Sequence, residues 1–306
     1  MATTNRAALI KKTIRVCRRH FEPHAPPKER TLLNNLLFGC LLENSPHAAA
    51  ERAFSTLEKD YFDLNEVRVS TAKELAESFR GLADPLEAAD RLKRTLHSVF
   101  ESVYAFDIEP MKKQNIGQAV KAIDKYDGAT PFTVAYVTQT SLGGHAIPIN
   151  QGLLISLLAI GVISEGEAKK GVVPGLERAV PKSKGIEVGS LLHGLGVEVG
   201  RNPYGQPARK LLLEIEPTCK DRLPKRPAKQ PEPEPEPKKP KKKPAAAPKT
   251  AEKSKSKPAT KKASAKPKPT KKKAKAKAKK KAAKKKAKTK TKKKTASKRL
   301  SKKKPR

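Results

Sequence analysis

The sequence predicts an all-α fold for residues 1–223, and three observations lead to that prediction. Apolar residues recur at the three- and four-residue spacing that gives a helix one buried face. All 13 aromatic residues lie in this stretch, the last at Tyr204, so it holds enough apolar material for a core. Only residues 106–108 and 145–149 are candidates for short extended segments. A helical domain therefore accounts for nearly the first three quarters of the chain.

The first predicted helices alternate with turn residues. A basic amphipathic helix covers 7–21, and after a proline-rich break at 23–27 an apolar helix covers 32–41. Ser45 and Pro46 then predict the N-cap and the first position of a third helix. The predicted buried face of this helix carries Ala49, Ala53, Phe54 and Leu57.

The later helices follow the same pattern. They are predicted at 70–80, 85–104, 116–126, 131–142 and 153–162, before a closing helix that contains 191–194. The predicted apolar stripe of the 85–104 helix consists of Leu86, Ala89, Leu92, Leu96 and Phe100. Nothing resembles a signal peptide, and the apolar run 153–162 is too short to cross a bilayer, so no membrane partner is expected.

The cysteines and two glycine-adjacent histidines do not form a recognisable metal pattern. Cys17, Cys40 and Cys219 are widely spaced and odd in number, which predicts reduced intracellular thiols and argues against a disulfide framework or a metal knuckle. His145 and His193 lack partners at the spacing of metal ligands, so structural roles are predicted for both.

Residues 224–306 have a different composition. They hold 38 Lys and Arg against 4 Glu, whereas residues 1–223 hold 30 against 26, so the formal net charge of +38 belongs mostly to this part. We expect an extended Pro/Glu/Lys spacer at 224–240 and a disordered lysine-rich tail at 241–306. The tail resembles that of linker histones and of some bacterial nucleoid proteins. Because polycations bind DNA by releasing its counterions, tail lysines such as Lys271, Lys272 and Lys273 are predicted to contact DNA phosphates.

A turn between two predicted helices carries the most specific motif. The first helix is predicted to end at Tyr126, and Thr130 and Pro131 fit the cap and the first position of the next. This arrangement predicts a helix-hairpin-helix whose backbone groups bind a DNA phosphate. The predicted phosphate-binding residues are Gly128, Ala129, Thr130 and Thr133. Further along, Asn150 is predicted to cap the apolar helix at 153–162.

From about residue 32 to 222, these features resemble endonuclease III and the related helix-hairpin-helix DNA glycosylases of base excision repair. That family's hairpin has the pattern Leu-Pro-Gly-Val-Gly-x-Lys-Thr-Ala, in which the lysine forms a Schiff base with the damaged nucleotide. In this chain Phe132 takes the place of that lysine, and Asn150 takes the place of the family's catalytic aspartate. The resemblance therefore implies a related fold and DNA binding, with both catalytic groups replaced.

Two further family features bear on chemistry. The family's iron-sulfur loop has four cysteines, whereas Cys219 is the only cysteine at 200–222, so no cluster and no other cofactor is expected. Lys125 and Asp127 adjoin the hairpin and are weak candidates for a substitute nucleophile and base. No other residue suggests itself for catalysis.

The sequence thus favours an intracellular DNA-binding protein without glycosylase-lyase chemistry, located in the bacterial nucleoid or cytoplasm, or in the nucleus of a eukaryote. One alternative is an active DNA glycosylase and AP lyase that uses non-standard residues. Another is a histone-like architectural protein of the nucleoid, in which the tail is the functional part.

Overall fold

The computed structural model describes residues 6–226, so most of the predicted spacer and the whole lysine-rich tail lie outside the described residues. Within 6–226 the regular structure consists of α-helices and short 3-10 helices with no strand, which confirms the all-α prediction. The α-helices are α1 (Arg6–His20), α2 (Leu32–Leu42), α3 (His47–Asp60), α4 (Leu64–Val69), α5 (Ala72–Ser78), α6 (Pro85–Val103), α7 (Ile116–Ile123), α8 (Pro131–Thr140), α9 (Gln151–Ile160), α10 (Glu165–Lys169), α11 (Leu176–Ala179), α12 (Gly185–Arg201) and α13 (Gln206–Ile215). The 3-10 helices are Glu109–Lys113, Lys182–Lys184 and Pro217–Arg222.

The helices enclose two hydrophobic cores. The first core is built by α2 to α8, and α2 lies at its centre with ten of its eleven residues buried. The second core joins α1 to α9 and the helices that follow it, so the N-terminal helix packs against the C-terminal part of the described chain. Because α2 and α9 are apolar on nearly every face, each is surrounded by other helices.

Helices α9 and α12, which both contribute to the second core, meet in a backbone contact. An added Cβ at Gly152 would overlap the carbonyl oxygen of Gly196, and one at Gly196 would overlap Oδ1 of Asn150. Gly200 faces the backbone of Gly152 in the same contact. We call Gly152, Gly196 and Gly200 the glycine seam, because the absence of side chains there allows the two helices to meet.

Three local predictions were wrong. Pro46, not Ser45, is the N-cap residue of α3, and the Ser45 hydroxyl accepts a hydrogen bond from the Ala83 amide at 3.0 Å. Leu86 is 51% exposed, because the face of α6 that meets the core begins at Ala88. The helix before the hairpin ends at Ile123, three residues before Tyr126, which lies in the turn.

The structure also contains four α-helices that the sequence did not predict, namely α4, α10, α11 and α13, so the predicted closing helix α12 is followed by one more. The six-residue helix α4 lies before α5, and the Asp63 side chain caps it by accepting a hydrogen bond from the Glu66 amide. The predicted buried face of α3 is confirmed, since Ala49, Ala53, Phe54 and Leu57 are all buried.

All three cysteines are free and buried. Burial raises the pKa of Cys17 to about 12 and that of Cys40 to about 11, so both are protonated thiols at neutral pH. The surface of the described chain therefore presents no native thiol. Among residues 6–226 no helix combines the length and the apolar character needed to span a membrane.

Candidate nucleic-acid interface at the hairpin

The predicted hairpin is present between α7 and α8. Thr130 is the N-cap of α8, its hydroxyl accepts a hydrogen bond from the Thr133 amide at 3.2 Å, and Pro131 occupies the first helical position. Gly128 has a φ of +93°, a conformation that side chains disfavour. An added Cβ at Gly128 would lie 2.5 Å from the carbonyl oxygen of Arg91. Glycine is therefore needed both for the turn and for its close packing on α6.

The backbone donors of the turn are not equally available. The Ala129 amide donates to the carbonyl oxygen of Tyr126 at 3.0 Å, and the Thr133 amide donates to Thr130. The Thr133 side chain is fully buried. No acceptor is found for the amides of Gly128 and Thr130 among residues 6–226. Of the four predicted residues, these two retain a backbone donor for an anion.

An ion pair between Glu43 and Arg91, largely shielded from solvent, contacts the hairpin cap. The Thr130 hydroxyl donates to Oε2 of Glu43 at 3.0 Å, and the same oxygen lies 2.9 Å from Nη1 of Arg91. Burial raises the pKa of Glu43, while Arg91 and the hydroxyl of Thr130 act in the opposite direction. Arg91 also donates to the carbonyl oxygen of Cys40 at 3.2 Å. The hairpin cap is thus bonded to the C-terminal end of α2 and to α6.

The sequence analysis did not identify Glu43 or Arg91. The signal available in the sequence was that Glu43 directly follows the apolar run of α2. An acidic residue in such a place is ordinarily solvated in a surface turn, so the sequence did not indicate an ion pair. Arg91 lies on the buried face of α6, and its side chain is only 8% exposed. Buried charges in proteins are normally paired, so one such residue predicts a partner without identifying it.

The two weak catalytic candidates lie on the outer surface of the turn. The side chain of Asp127 is 70% exposed and lies 3.1 Å from Nη1 of Arg94. Lys125 is exposed as well. Neither of them lines the cavity beside Phe132. Asp127 is therefore engaged in a surface ion pair, and the structure places both residues away from an enclosed site.

Phe132 is part of the interior. Its side chain is 1% exposed, and its ring centroid lies 6.5 Å from that of Tyr136 and 5.6 Å from that of His193. The cavity that these three side chains help to line has a volume of ≈ 20 Å³. Since a single water occupies on the order of 10–15 Å³ by the same kind of measure, the cavity is too small for a nucleobase.

Asn150 serves as the predicted helix cap. It is 2% exposed, and its Oδ1 accepts a hydrogen bond from the Leu153 amide at 2.9 Å. Its Nδ2 has no hydrogen-bond partner among the described residues. Asn150 does not line the cavity beside Phe132. The amide therefore stabilises the start of α9 and contributes no ionisable group.

The two histidines predicted to be structural, His193 and His145, lie within hydrogen-bond distance of backbone carbonyl oxygens. Nε2 of His193 lies 2.9 Å from the carbonyl oxygen of Leu42, and burial lowers the pKa of His193 to about 4, so the ring is neutral at pH 7. Nε2 of His145 lies 2.8 Å from the carbonyl oxygen of Glu177. Cys219 is buried, with its Sγ 3.5 Å from the carbonyl oxygen of Leu212. In the described part of the chain, no three His, Cys, Asp or Glu side chains are grouped to hold a metal ion.

Comparison with known proteins gives matches of structure alone. No family model and no curated protein matches the sequence. Solved structures similar to the chain include an endonuclease III trapped as a covalent intermediate with DNA, at 15% identity and a TM-score of 0.47, over 66% of this chain and 87% of that chain. A thermostable thymine-DNA glycosylase is similar at 17% identity and a TM-score of 0.44, over 64% of this chain and 88% of that chain.

The Clostridium acetobutylicum 8-oxoguanine glycosylase/lyase in complex with duplex DNA is also similar, at 15% identity and a TM-score of 0.42 over 61% of this chain and 65% of that chain. These likenesses are of fold, and they leave the roles of individual residues to be argued from the chain itself. The described chain is thus similar to solved structures of an endonuclease III, a thymine-DNA glycosylase and an 8-oxoguanine glycosylase/lyase.

Proposed function

We propose that the protein binds duplex DNA through its hairpin and its lysine-rich tail, and that it does not carry out glycosylase-lyase chemistry. The observation that supports this most directly is the burial of Phe132 in the position where the hairpin pattern of the glycosylases has a lysine. A phenyl ring has no nucleophilic atom, and here it also occupies the space beside Tyr136 and His193.

The surroundings of Phe132 support the same proposal. A flipped nucleobase needs a pocket of its own size, whereas the cavity beside Phe132 has a volume of ≈ 20 Å³. Asn150 supplies a neutral amide that caps α9, and an amide neither accepts a proton at useful pH nor stabilises a cationic sugar as a carboxylate does. The proposed protein needs no metal or other cofactor, since phosphate binding by backbone amides and lysines requires none.

Binding would be divided between two parts of the chain. The amides of Gly128 and Thr130, at the N-terminal end of α8, offer donors to one phosphate. The lysines of residues 241–306, including Lys271, Lys272 and Lys273, would add a larger attraction that depends strongly on salt and little on sequence. The tail would thereby keep DNA at a high local concentration near the hairpin.

The chemical part of the proposal predicts that no Schiff base forms. When the full chain is incubated with a duplex containing an abasic site and treated with borohydride, we expect no covalent protein–DNA adduct, and no release of oxidised pyrimidines from a damaged duplex. An active glycosylase-lyase in parallel would show that the trapping worked. An adduct that forms with the native chain and disappears in Lys125→Ala would overturn the proposal and favour an active enzyme with a relocated nucleophile.

The binding part predicts a specific sensitivity at Gly128. Gly128→Ala should lower duplex affinity roughly tenfold, because the added Cβ meets Arg91 and displaces the turn, and a hydrogen bond to a charged group is worth about 1.5 kcal/mol. Affinity should be measured by titration of a labelled duplex at the highest salt that still permits binding, where the tail contributes least.

Gly143→Ala is the matched control for this measurement. Gly143 also has a positive φ, of 63°, but an added Cβ there would find no atom within 4 Å. Gly143→Ala therefore has the cost of a side chain at positive φ without a steric clash, and this variant should retain the affinity of the native chain. If the two variants bind equally well at native helix content, the hairpin does not hold DNA and the architectural alternative, with the tail as the functional part, replaces the proposal.

A further inference from the structure

Helix α1 is strongly basic, and most of its charges are already paired. It carries six Lys and Arg residues and no acidic residue. Four of the six form ion pairs with glutamates from the C-terminal part of the described chain. These pairs are Arg6 with Glu167 at 3.0 Å, Lys12 with Glu216 at 3.3 Å, Arg18 with Glu187 at 3.0 Å and Arg19 with Glu214 at 2.7 Å.

The two remaining cations share one location. Lys11 and Arg15 are exposed, have no carboxylate partner among the described residues, and lie four positions apart on one face of α1. Both line a groove of ≈ 350 Å³ between α1 and the segment 179–188. Lys184 lies on the opposite wall, and it too is exposed and without a carboxylate partner in residues 6–226. We call this the basic groove.

No acidic side chain lines the basic groove. Its charged lining consists of Lys11, Arg15, Lys184 and the paired Arg18, and its floor is apolar, formed in part by the largely buried Val180 and Val188. The nearby Glu187 is already engaged by Arg18. Since four cations of α1 each have a glutamate while Lys11 and Arg15 have none, the unpaired positive charge of α1 lies at the groove.

The wall that carries Lys184 adds to this potential. Lys184 is the N-cap residue of α12, and no side chain caps that helix. The partial positive charge of a 17-residue helix therefore begins next to the lysine. Together, three unpaired cations on two walls and an uncapped helix start favour an anionic ligand.

We propose that the basic groove is a second contact for duplex DNA, in which Lys11, Arg15 and Lys184 bind phosphates of one strand. This inference rests on the proposed function as a DNA-binding protein. Lys11 and Arg15 line the groove from α1 and Lys184 lines it from the segment 179–188, around a volume of ≈ 350 Å³, which fits an extended phosphate backbone better than a single small anion. The apolar floor would contact the sugars. The groove is formed by helices of the second core, whereas the hairpin packs on the first.

Cleavage of DNA from a tethered reagent tests the contact in the full chain. Because Cys17, Cys40 and Cys219 are buried, an introduced cysteine is the accessible thiol of the described chain. Ser183→Cys places an iron-EDTA group at the edge of the groove, and Lys125→Cys places one at the hairpin, both at exposed positions. With a labelled duplex and a reductant, we expect strand cleavage from position 183 as well as from position 125.

Charge reversal provides the control that separates the groove from the tail. In a Ser183→Cys chain that also carries Lys11→Glu, Arg15→Glu and Lys184→Glu, cleavage should fall at least fivefold. The same reversals in the Lys125→Cys chain should change cleavage less than twofold. If the charge reversals left cleavage from position 183 unchanged, the tail alone would bring DNA there, and the inference would be overturned.

The remaining outcomes distinguish the inference from the proposed function. Cleavage from position 125 without cleavage from position 183 would overturn the groove contact and leave the hairpin proposal standing. Reversal-sensitive cleavage from position 183 without cleavage from position 125 would support the groove and overturn binding at the hairpin. If bound DNA is cut from neither position, both fail.

Discussion

Deletion of residues 227–306 is expected to remove most of the salt dependence of DNA binding. Each phosphate neutralised on duplex DNA contributes about −0.9 to the slope of log affinity against log salt, so about ten engaged lysines give a slope near −9. Residues 1–223 are nearly balanced in charge, with 30 Lys and Arg against 26 Asp and Glu. After deletion, the slope should be no steeper than about −3, as the few cations and amides of the folded part would allow.

The measurement is the affinity for one duplex over a series of salt concentrations, for the native chain and the deletion variant. A third chain, in which residues 241–306 are kept in composition but scrambled in order, is the matched control. It should retain the native slope, because the electrostatic term depends on charge density and not on order. A deletion variant with the native slope would show that the salt dependence arises in the folded part.

The largest effect on stability is expected at the glycine seam. Gly152→Ala places a methyl group against the carbonyl oxygen of Gly196, in a contact between two helix backbones that no side-chain movement relieves. Overpacking of this kind costs about 3 kcal/mol or more, which for a domain of this size lowers the melting temperature by about 6 to 12 °C.

Gly166→Ala is the control for helix propensity. Gly166 lies in α10, where an added Cβ finds no atom within 4 Å. This variant should gain about 0.4–1 kcal/mol, since alanine restricts the unfolded chain and favours the helix. Melting followed by circular dichroism measures both. If Gly152→Ala melted as high as Gly166→Ala, α9 and α12 would not be in backbone contact.

The sequence predicted features that depend on neighbouring residues. Thr130 and Asn150 cap α8 and α9 as predicted, because a cap requires only a suitable side chain and the amide three positions later. The corresponding prediction for Ser45 was wrong, since its hydroxyl accepts a hydrogen bond from the distant Ala83 amide and does not cap α3. At Thr130 and Asn150 the capping chemistry is local, and there it was predictable.

Features that join distant residues were not predictable in this way. Glu43 and Arg91 meet across two helices, and neither residue indicates its partner by spacing. The replacement of a catalytic lysine by Phe132 followed from the resemblance, whereas its burial beside Tyr136 depends on how α8 packs. Similarly, the selective pairing of the α1 cations, which leaves Lys11 without a glutamate, arises only once the second core is assembled.

The glycine seam also restricts how the protein can move. Helices that pack through side chains can slide by small rotamer changes, as in shear motions. Gly152 and Gly196 have no rotamers, so α9 and α12 can shift past each other only if their backbones separate first. The two helices should therefore move as one rigid unit. Segments outside this unit, such as the turn at 124–130, would then adjust to the shape of a DNA duplex.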